Sequence, residues 1–257
     1  MRAASSADPF ARLREFTSAR IGMGRSGDAW PTSALLAFQA AASEARDAVH
    51  AALDLDLLCQ QMAPAELLLA DSLAADRAEY LQRPDLGRRL PDDTPQLQAA
   101  SGDYDLAIVL ADGLSARAVT EQAPVLLRHL LPALADLRLA PLVVARQARV
   151  ALGDPIGRRL GARMVAVLIG ERPGLSVPAS LGIYLTWAPG VATPDSARNC
   201  ISNIHAAGLK PVAAAAQLVW LIRAALRLEL TGTALKPEDP AVLPDAGGMQ
   251  PGAIARE

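Results

Sequence analysis

The spacing of apolar residues divides the chain in two. Up to about residue 98 it is mostly helical: Phe10, Leu13 and Phe16 predict a short amphipathic helix over 9–19. Pro31 is well placed to begin a longer helix that runs to about Leu53. A Gly-rich turn over 21–27 joins the two. A polar stretch, Arg83-Pro84-Asp85-Leu86-Gly87-Arg88-Arg89-Leu90, then ends in breaks at Pro91 and Pro95. Strand signals are few here, so 1–98 reads as an N-terminal helical arm.

From Asp103 short unbroken apolar runs take over. Leu106 to Leu110, Leu142 to Val144 (extending toward Val150), Val165 to Ile169 and Ile183 to Trp187 read as strands buried on both faces. Asp112-Gly113-Leu114-Ser115 turns the first of these into a helix reaching about Leu137, with a break and restart expected at Pro124. Asp154-Pro155 opens a short helix over 155–160 that Gly161 ends, and an Ala-rich helix over about 211–230 closes the fold. This alternation predicts an α/β domain over 99–235 with a mostly parallel sheet covered on both faces. Pro, Gly and Asp crowd 236–257, which predicts a disordered tail.

Composition narrows the partners. Half of the 257 residues are hydrophobic but only 4% are aromatic, so Ala and Leu must build the core. The net charge of −2, from 25 basic and 27 acidic residues, provides no field for nucleic acid. Two cysteines make neither a disulfide framework nor a Cys-rich metal site. No run of 18 or more apolar residues appears, so no membrane span is predicted. The first residues, with Asp8, Arg12, Arg14 and Glu15, lack the apolar core of a signal peptide, and the expectation is a cytoplasmic chain.

Candidate chemistry collects at the carboxyl ends of the predicted strands, where open α/β sheets bind ligands. Gly170-Glu171-Arg172-Pro173-Gly174 delivers a carboxylate and a guanidinium into an immediate turn. Glu171 can accept hydrogen bonds from a neutral amide-rich ligand, or pair with Arg172. Asp112 can hold a ligand hydroxyl or amide, or Asp-Gly can simply make the turn while Ser115 caps the helix. In Val150 to Gly157, Val150 offers an apolar wall or its carbonyl, and Gly153 lets a ligand approach the backbone; the alternative is an ordinary connection capped by Asp154.

Cys200 and His205 suggest a nucleophilic pair, although the spacing supplies no orienting third group. Asn203-Ile204-His205-Ala206-Ala207-Gly208 is close to D-x-H-x-x-G, by which some cobalamin mutases supply an axial histidine. Asn in place of Asp alters the relay that would orient the imidazole. Gly22 to Gly27 matches G-x-G-x-x-G, but no buried strand precedes it and Trp30-Pro31 separates it from the next helix. It reads as a linker, not a dinucleotide cradle. With no G-x-S-x-G, Walker loop or H-E-x-x-H, the chain does not read as a self-sufficient enzyme.

Five segments in order carry a resemblance over roughly 20–230. They are Arg20-Ile21-Gly22-Met23-Gly24-Arg25-Ser26-Gly27, Tyr80 to Leu90, Asp112-Gly113-Leu114-Ser115, Gly170-Glu171-Arg172-Pro173-Gly174-Leu175 and Cys200-Ile201-Ser202-Asn203-Ile204-His205. Together the chain resembles the small (light) subunit of ethanolamine ammonia-lyase. The resemblance implies a Rossmann-like C-terminal part, and adenosylcobalamin held between this chain and a large TIM-barrel subunit. That large subunit carries the substrate in a hetero-oligomer of several large–small pairs. The holoenzyme converts ethanolamine and related vicinal amino alcohols to an oxo compound and ammonia, with the radical chemistry belonging to the cofactor.

Carried over, the cobalamin contacts fall on Val150, Glu171 and Cys200, with Asp112, Arg172 and Asn203 as further candidates. No catalytic or metal-ligating residue is expected on this chain. The family's cobalamin keeps its own benzimidazole as lower ligand, which argues against cobalt ligation by His205. The 22–27 and 83–90 segments then read as contacts to the large subunit. Some relatives carry an N-terminal extension linked to a protein-shelled microcompartment. Only about twenty residues precede the first motif here, which argues against encapsulation. Two rival readings are a free-standing α/β enzyme or nucleotide-binding protein, and a structural partner that touches no cofactor.

Overall fold

In the computed structural model, which describes residues 8–236, six strands form one sheet. They are β1 (Leu67–Asp71), β2 (Tyr104–Ala111), β3 (Leu142–Arg146), β4 (Ala162–Gly170), β5 (Leu181–Trp187) and β6 (Arg198–Ile204). Across the sheet they run β1-β3-β2-β4-β5-β6. β1, β3, β2 and β4 pair in parallel; β5 and β6 reverse direction and pair antiparallel. The helices are α1 (Ala11–Arg14), α2 (Thr32–His50), α3 (Leu55–Met62), α4 (Arg77–Gln82), α5 (Pro95–Ala99), α6 (Ala116–Ala133), α7 (Gly153–Leu160) and α8 (Pro211–Leu228).

The central strands are apolar on both sides because both sides are covered. α3, α6 and α8 seal one face, where Leu126, Leu130, Leu218 and Ile222 pack with Ile108, Leu168 and Leu185. On the other, α5 and α7 bury Leu97, Ile156 and Leu160 against Val109, Val143, Val165 and Val167. This second layer is incomplete. α7 lies over β4 and β2, while β5 and β6 leave Tyr184 half-buried and Cys200 exposed.

The expected α/β class and mostly parallel sheet hold, with four corrections to the sheet. β1 comes from within the first 98 residues, where few strand signals were read. Its Leu67-Leu68-Leu69 run is too short to be told from a helix turn by periodicity. β5 follows β4 by a direct reversal, so the sheet is mixed. β6 was not anticipated because it lacks an apolar run: Ile201 and Ile204 are its only buried apolar residues, and Cys200, Ser202 and Asn203 are exposed. β3 also stops at Arg146, since Gln147 takes a left-handed conformation (φ 51°).

The helices depart from expectation as well. α6 runs unbroken through Pro124 and Pro132. Its buried stripe from Ala118 to Leu130 supplies more than the one backbone hydrogen bond a proline removes. α1 spans only four residues, because Arg14 turns back to bond the carbonyls of Ile21 and Gly22. Gly22, Gly24 and Gly27 all take left-handed conformations (φ 58°, 80° and 63°) in an irregular turn with no strand before it, as the linker reading expects. α8 is long and apolar enough to cross a membrane, but it packs on α6 with Ala214, Leu218, Ile222 and Ala225 buried, as a core helix does. The predicted disordered tail falls almost wholly outside the described residues.

The segment before β1 stands apart in one respect. α2 buries only Ala48, and Phe10, Leu13, Phe16, Trp30, Leu35 and Leu36 are all exposed.

Candidate functional site

β2 and β4 lie side by side, and the chain leaves their carboxyl ends in opposite directions, toward β3 and toward β5. That makes a switch point, the usual ligand position in an open α/β sheet. The two loops touch there. Leu114 N donates to Gly170 O at 2.9 Å, and a Cβ on Gly113 (φ 56°) would lie 2.2 Å from the same oxygen. Only glycine fits that turn.

Asp112 is committed to the scaffold. Its carboxylate accepts from Gln147 N (2.9 Å) and Ala148 N (3.0 Å) and faces Arg77 Nη1 at 3.4 Å. Burial nonetheless raises its pKa. Of the two readings open for this residue, the geometry favours the turn-forming one. Ser115, expected to cap α6, instead donates its hydroxyl to Pro178 O at 2.9 Å.

The turn Asp112 holds leads directly to Val150, in a short 3-10 turn before α7. Gly153 does not admit a ligand: a Cβ there would sit 2.3 Å from Val167 Cγ2, so its smallness serves the packing of α7 on β4. Asp154 does not cap α7 either. It forms a two-pronged ion pair with Arg198 of β6, at 2.7 and 2.6 Å, with side chains only 5% and 2% exposed.

Glu171 leaves β4 on the uncovered side. Its Oε2 accepts from Ser180 Oγ at 2.5 Å and Asn203 N at 3.3 Å, and a Cβ on Gly182 would come within 2.9 Å of Oε1. Arg172 follows, exposed on the rim. Across β5, Tyr184 and Cys200 are register partners. Burial pushes the Tyr184 hydroxyl up to about 12 and raises the Cys200 thiol as well. A thiol raised this way is a poor nucleophile.

His205 does not join Cys200. Its Nδ1 accepts from Ala207 N (3.2 Å), which leaves Nε2 as the donor to Asn203 Oδ1 (2.7 Å). Both ring nitrogens are engaged, so neither the nucleophilic pair nor an axial ligand is assembled. Asn203 holds a left-handed conformation (φ 61°) in this arrangement.

Burial lowers the His205 pKa below 6.5, outweighing the opposing pull of Glu171. The unfolded chain therefore binds a proton first on acidification, and stability is expected to fall as pH drops below about 6.5. The slope from this one group is at most about 1.4 kcal/mol per pH unit. Denaturant titrations at pH 7.5 and 5.5 on wild type and His205→Gln check it: an undiminished slope in the variant would assign the effect elsewhere.

Tyr80, Gly113, Arg149, Val150, Glu171, Arg172 and Tyr184 line one crevice of about 460 Å³ at this sheet edge, with Cys200 beside Tyr184. Of the residues singled out in the sequence, Val150, Glu171 and Arg172 line this crevice and Cys200 lies beside it; Arg149 and Tyr184 line it with no local pattern to mark them, and Tyr80 stood only at the head of the 80–90 segment. A depression of about 800 Å³ lies between Phe10, Arg14, Ile21 and Ala37, and one of its walls meets the loop after β4 through Arg20 Nη2 to Leu175 O at 3.2 Å. Among the described residues no group of three or more His, Cys, Asp or Glu side chains could hold a metal.

The profile of the family described as ethanolamine ammonia-lyase light chain (EutC) matches residues 7–236. A Bradyrhizobium diazoefficiens protein named ethanolamine ammonia-lyase small subunit is 52% identical over 239 residues, covering 90% of this chain and 91% of its own. Proteins of the same name from Pseudomonas syringae pv. tomato (50%, covering 91% and 85%) and Xanthomonas campestris pv. campestris (51%, covering 90% and 88%) are similarly alike.

Proposed function

This chain belongs to the ethanolamine ammonia-lyase light-chain family, and we propose that it holds adenosylcobalamin against a large catalytic subunit. The complex would deaminate ethanolamine and related vicinal amino alcohols to an oxo compound, acetaldehyde from ethanolamine, and ammonia. The convergence of Val150, Glu171 and Cys200 at one open sheet edge carries the reading. They span 50 residues of sequence, from the 3-10 turn before α7, through the residue after β4, to β6, with Val150 and Glu171 lining the crevice and Cys200 beside Tyr184 of its wall.

The residues present suit a corrin. Its rim is a set of carboxamide arms on an apolar macrocycle. Val150 gives an apolar wall, Glu171 a carboxylate that can accept amide N–H groups, and Cys200 a protonated, polarisable thiol. Arg149 Nε is buried on the same wall without a hydrogen-bond partner, the kind of orphan a ligand would satisfy. When bound, the cofactor supplies the radical chemistry of its cobalt–carbon bond. This chain orients the corrin and covers it from water; no residue of its own takes part in bond cleavage.

Glu171→Ala should weaken cobalamin binding about tenfold or more, since a hydrogen bond to a charged group contributes about 1.5–3 kcal/mol, and Val150→Glu should weaken it by setting a charge against the apolar macrocycle. Visible absorbance titration of the two-subunit complex measures this. Unchanged affinity in both variants would leave a purely structural partner.

The exposed apolar residues of the arm, Phe10 to Leu36, form the surface that the large subunit would cover in this reading. The decisive test is co-expression with a cognate large subunit, followed by an adenosylcobalamin titration coupled to acetaldehyde release. Activity that needs both chains supports the reading; failure of the chains to associate sinks it.

A further inference from the structure

We propose that Arg149 and Glu171 act as a donor–acceptor pair across the crevice that selects a neutral primary carboxamide, and that Tyr80 is the platform holding Arg149 in place. The inference rests on the cobalamin reading, adds Tyr80 to it and gives Arg149 and Glu171 a joint selectivity.

The Arg149 guanidinium lies 4.4 Å from the centroid of the Tyr80 ring. That ring is fully buried, and its hydroxyl donates to Ala148 O at 3.0 Å, one residue before Arg149. Arg149 N donates to Gly87 O at 2.8 Å. A Cβ on Gly87 would strike the Tyr80 ring at 2.9 Å and Arg149 Cγ at 3.0 Å, so the three residues are closed on one another.

This clamp leaves the cation under-used. Arg149 Nη2 reaches only Tyr80 O, at a long 3.5 Å, and Nε is buried with no partner. Among the described residues no carboxylate pairs with Arg149, whereas Arg77, Arg146, Arg163 and Arg198 each have one. A cation fixed by stacking, short of acceptors and facing a crevice is poised for an acceptor oxygen from outside. Glu171, lining the same crevice, accepts only.

A primary amide satisfies both, its carbonyl taking the Arg149 N–H and its nitrogen donating to Glu171. A carboxylate would meet repulsion at Glu171, and an ammonium would meet it at Arg149. The crevice thus distinguishes an amide arm from its hydrolysed acid, a specificity a general apolar wall lacks.

The test uses the complex of both subunits, titrated by visible absorbance with hydroxocobalamin and with each isomeric monocarboxylate made by hydrolysing one carboxamide arm. For one isomer the wild-type complex should bind the acid at least tenfold more weakly than the amide. Glu171→Gln should erase or invert that preference, Arg149→Met should weaken the amide about tenfold, and Tyr80→Phe, which keeps the ring, should cause a smaller loss. Equal amide-to-acid ratios in wild type and both crevice variants for every isomer would overturn the pairing even if cobalamin binds. A wild-type complex that binds no corrinoid would overturn the cobalamin reading itself.

Discussion

Asp154→Ala is expected to destabilise the protein by about 3–5 kcal/mol, the usual result of stranding one charge of a buried ion pair. Arg198 would keep only Thr186 Oγ1 (2.8 Å), Thr193 O (3.2 Å) and the solvent-exposed carboxylate of Asp195 at 3.6 Å. The pair joins α7, which follows the Val150 turn, to β6, which carries Cys200. Its loss should therefore loosen two walls of the crevice together and weaken corrinoid binding along with stability. Replacing both partners, as Asp154→Leu with Arg198→Met, should recover most of the stability because no charge is left alone. Urea denaturation of the three proteins reads this directly. A loss below about 1 kcal/mol for Asp154→Ala would mean the pair is solvated and the argument from burial is wrong.

Gly113→Ala should be nearly as damaging, by about 2–5 kcal/mol, from two additive sources. A left-handed backbone costs an L-residue about 1–2 kcal/mol, and forcing atoms into a filled space about 1–3 kcal/mol more. The added methyl would meet Gly170 O at 2.2 Å and Ile169 Cγ1 at 2.5 Å, and the first of these is backbone that cannot rotate away. Separating the β2 and β4 loops would also misplace Glu171, one residue beyond Gly170. Gly24→Ala is the control: it shares the conformation (φ 80°) but meets nothing nearer than Pro31 Cγ at 3.4 Å, so it should show the backbone part alone. Equal losses at the two positions would remove the contact argument.

The parts of this fold legible in the sequence are those dictated by local physics. The runs of β2 and β4 are apolar because both faces are covered, and the glycines after them mark sharp turns. These features brought Asp112, Val150 and Glu171 into view before any geometry was known. Pair-wise facts were not legible. Asp154 looked like a helix cap, and nothing local says that its partner is Arg198, 44 residues later. Gly153 looked like room for a ligand when it is room for Val167. β6 looked like a loop because half its side chains face no covering helix. Tyr80 heads a segment that carries the family resemblance, and its role beneath Arg149 exists only once the turn after β3 has folded over it.

The reversal of direction after β4 has a consequence of its own. Side chains on neighbouring strands form a lattice, about 4.8 Å across and nearly 7 Å between same-face positions along a strand. Gly182, Tyr184 and Cys200 are nodes of that lattice, not members of a pliable loop. Such a shelf fixes the spacing of its side chains, and Gly182 leaves no room for a Cβ beside Glu171 Oε1 at 2.9 Å. It has little tolerance for changes in phase: one residue inserted in β6 between Arg198 and Cys200 would send one of them to the opposite side of the sheet. The evolutionary signature expected of this region is thus a fixed residue count between Arg198 and Cys200.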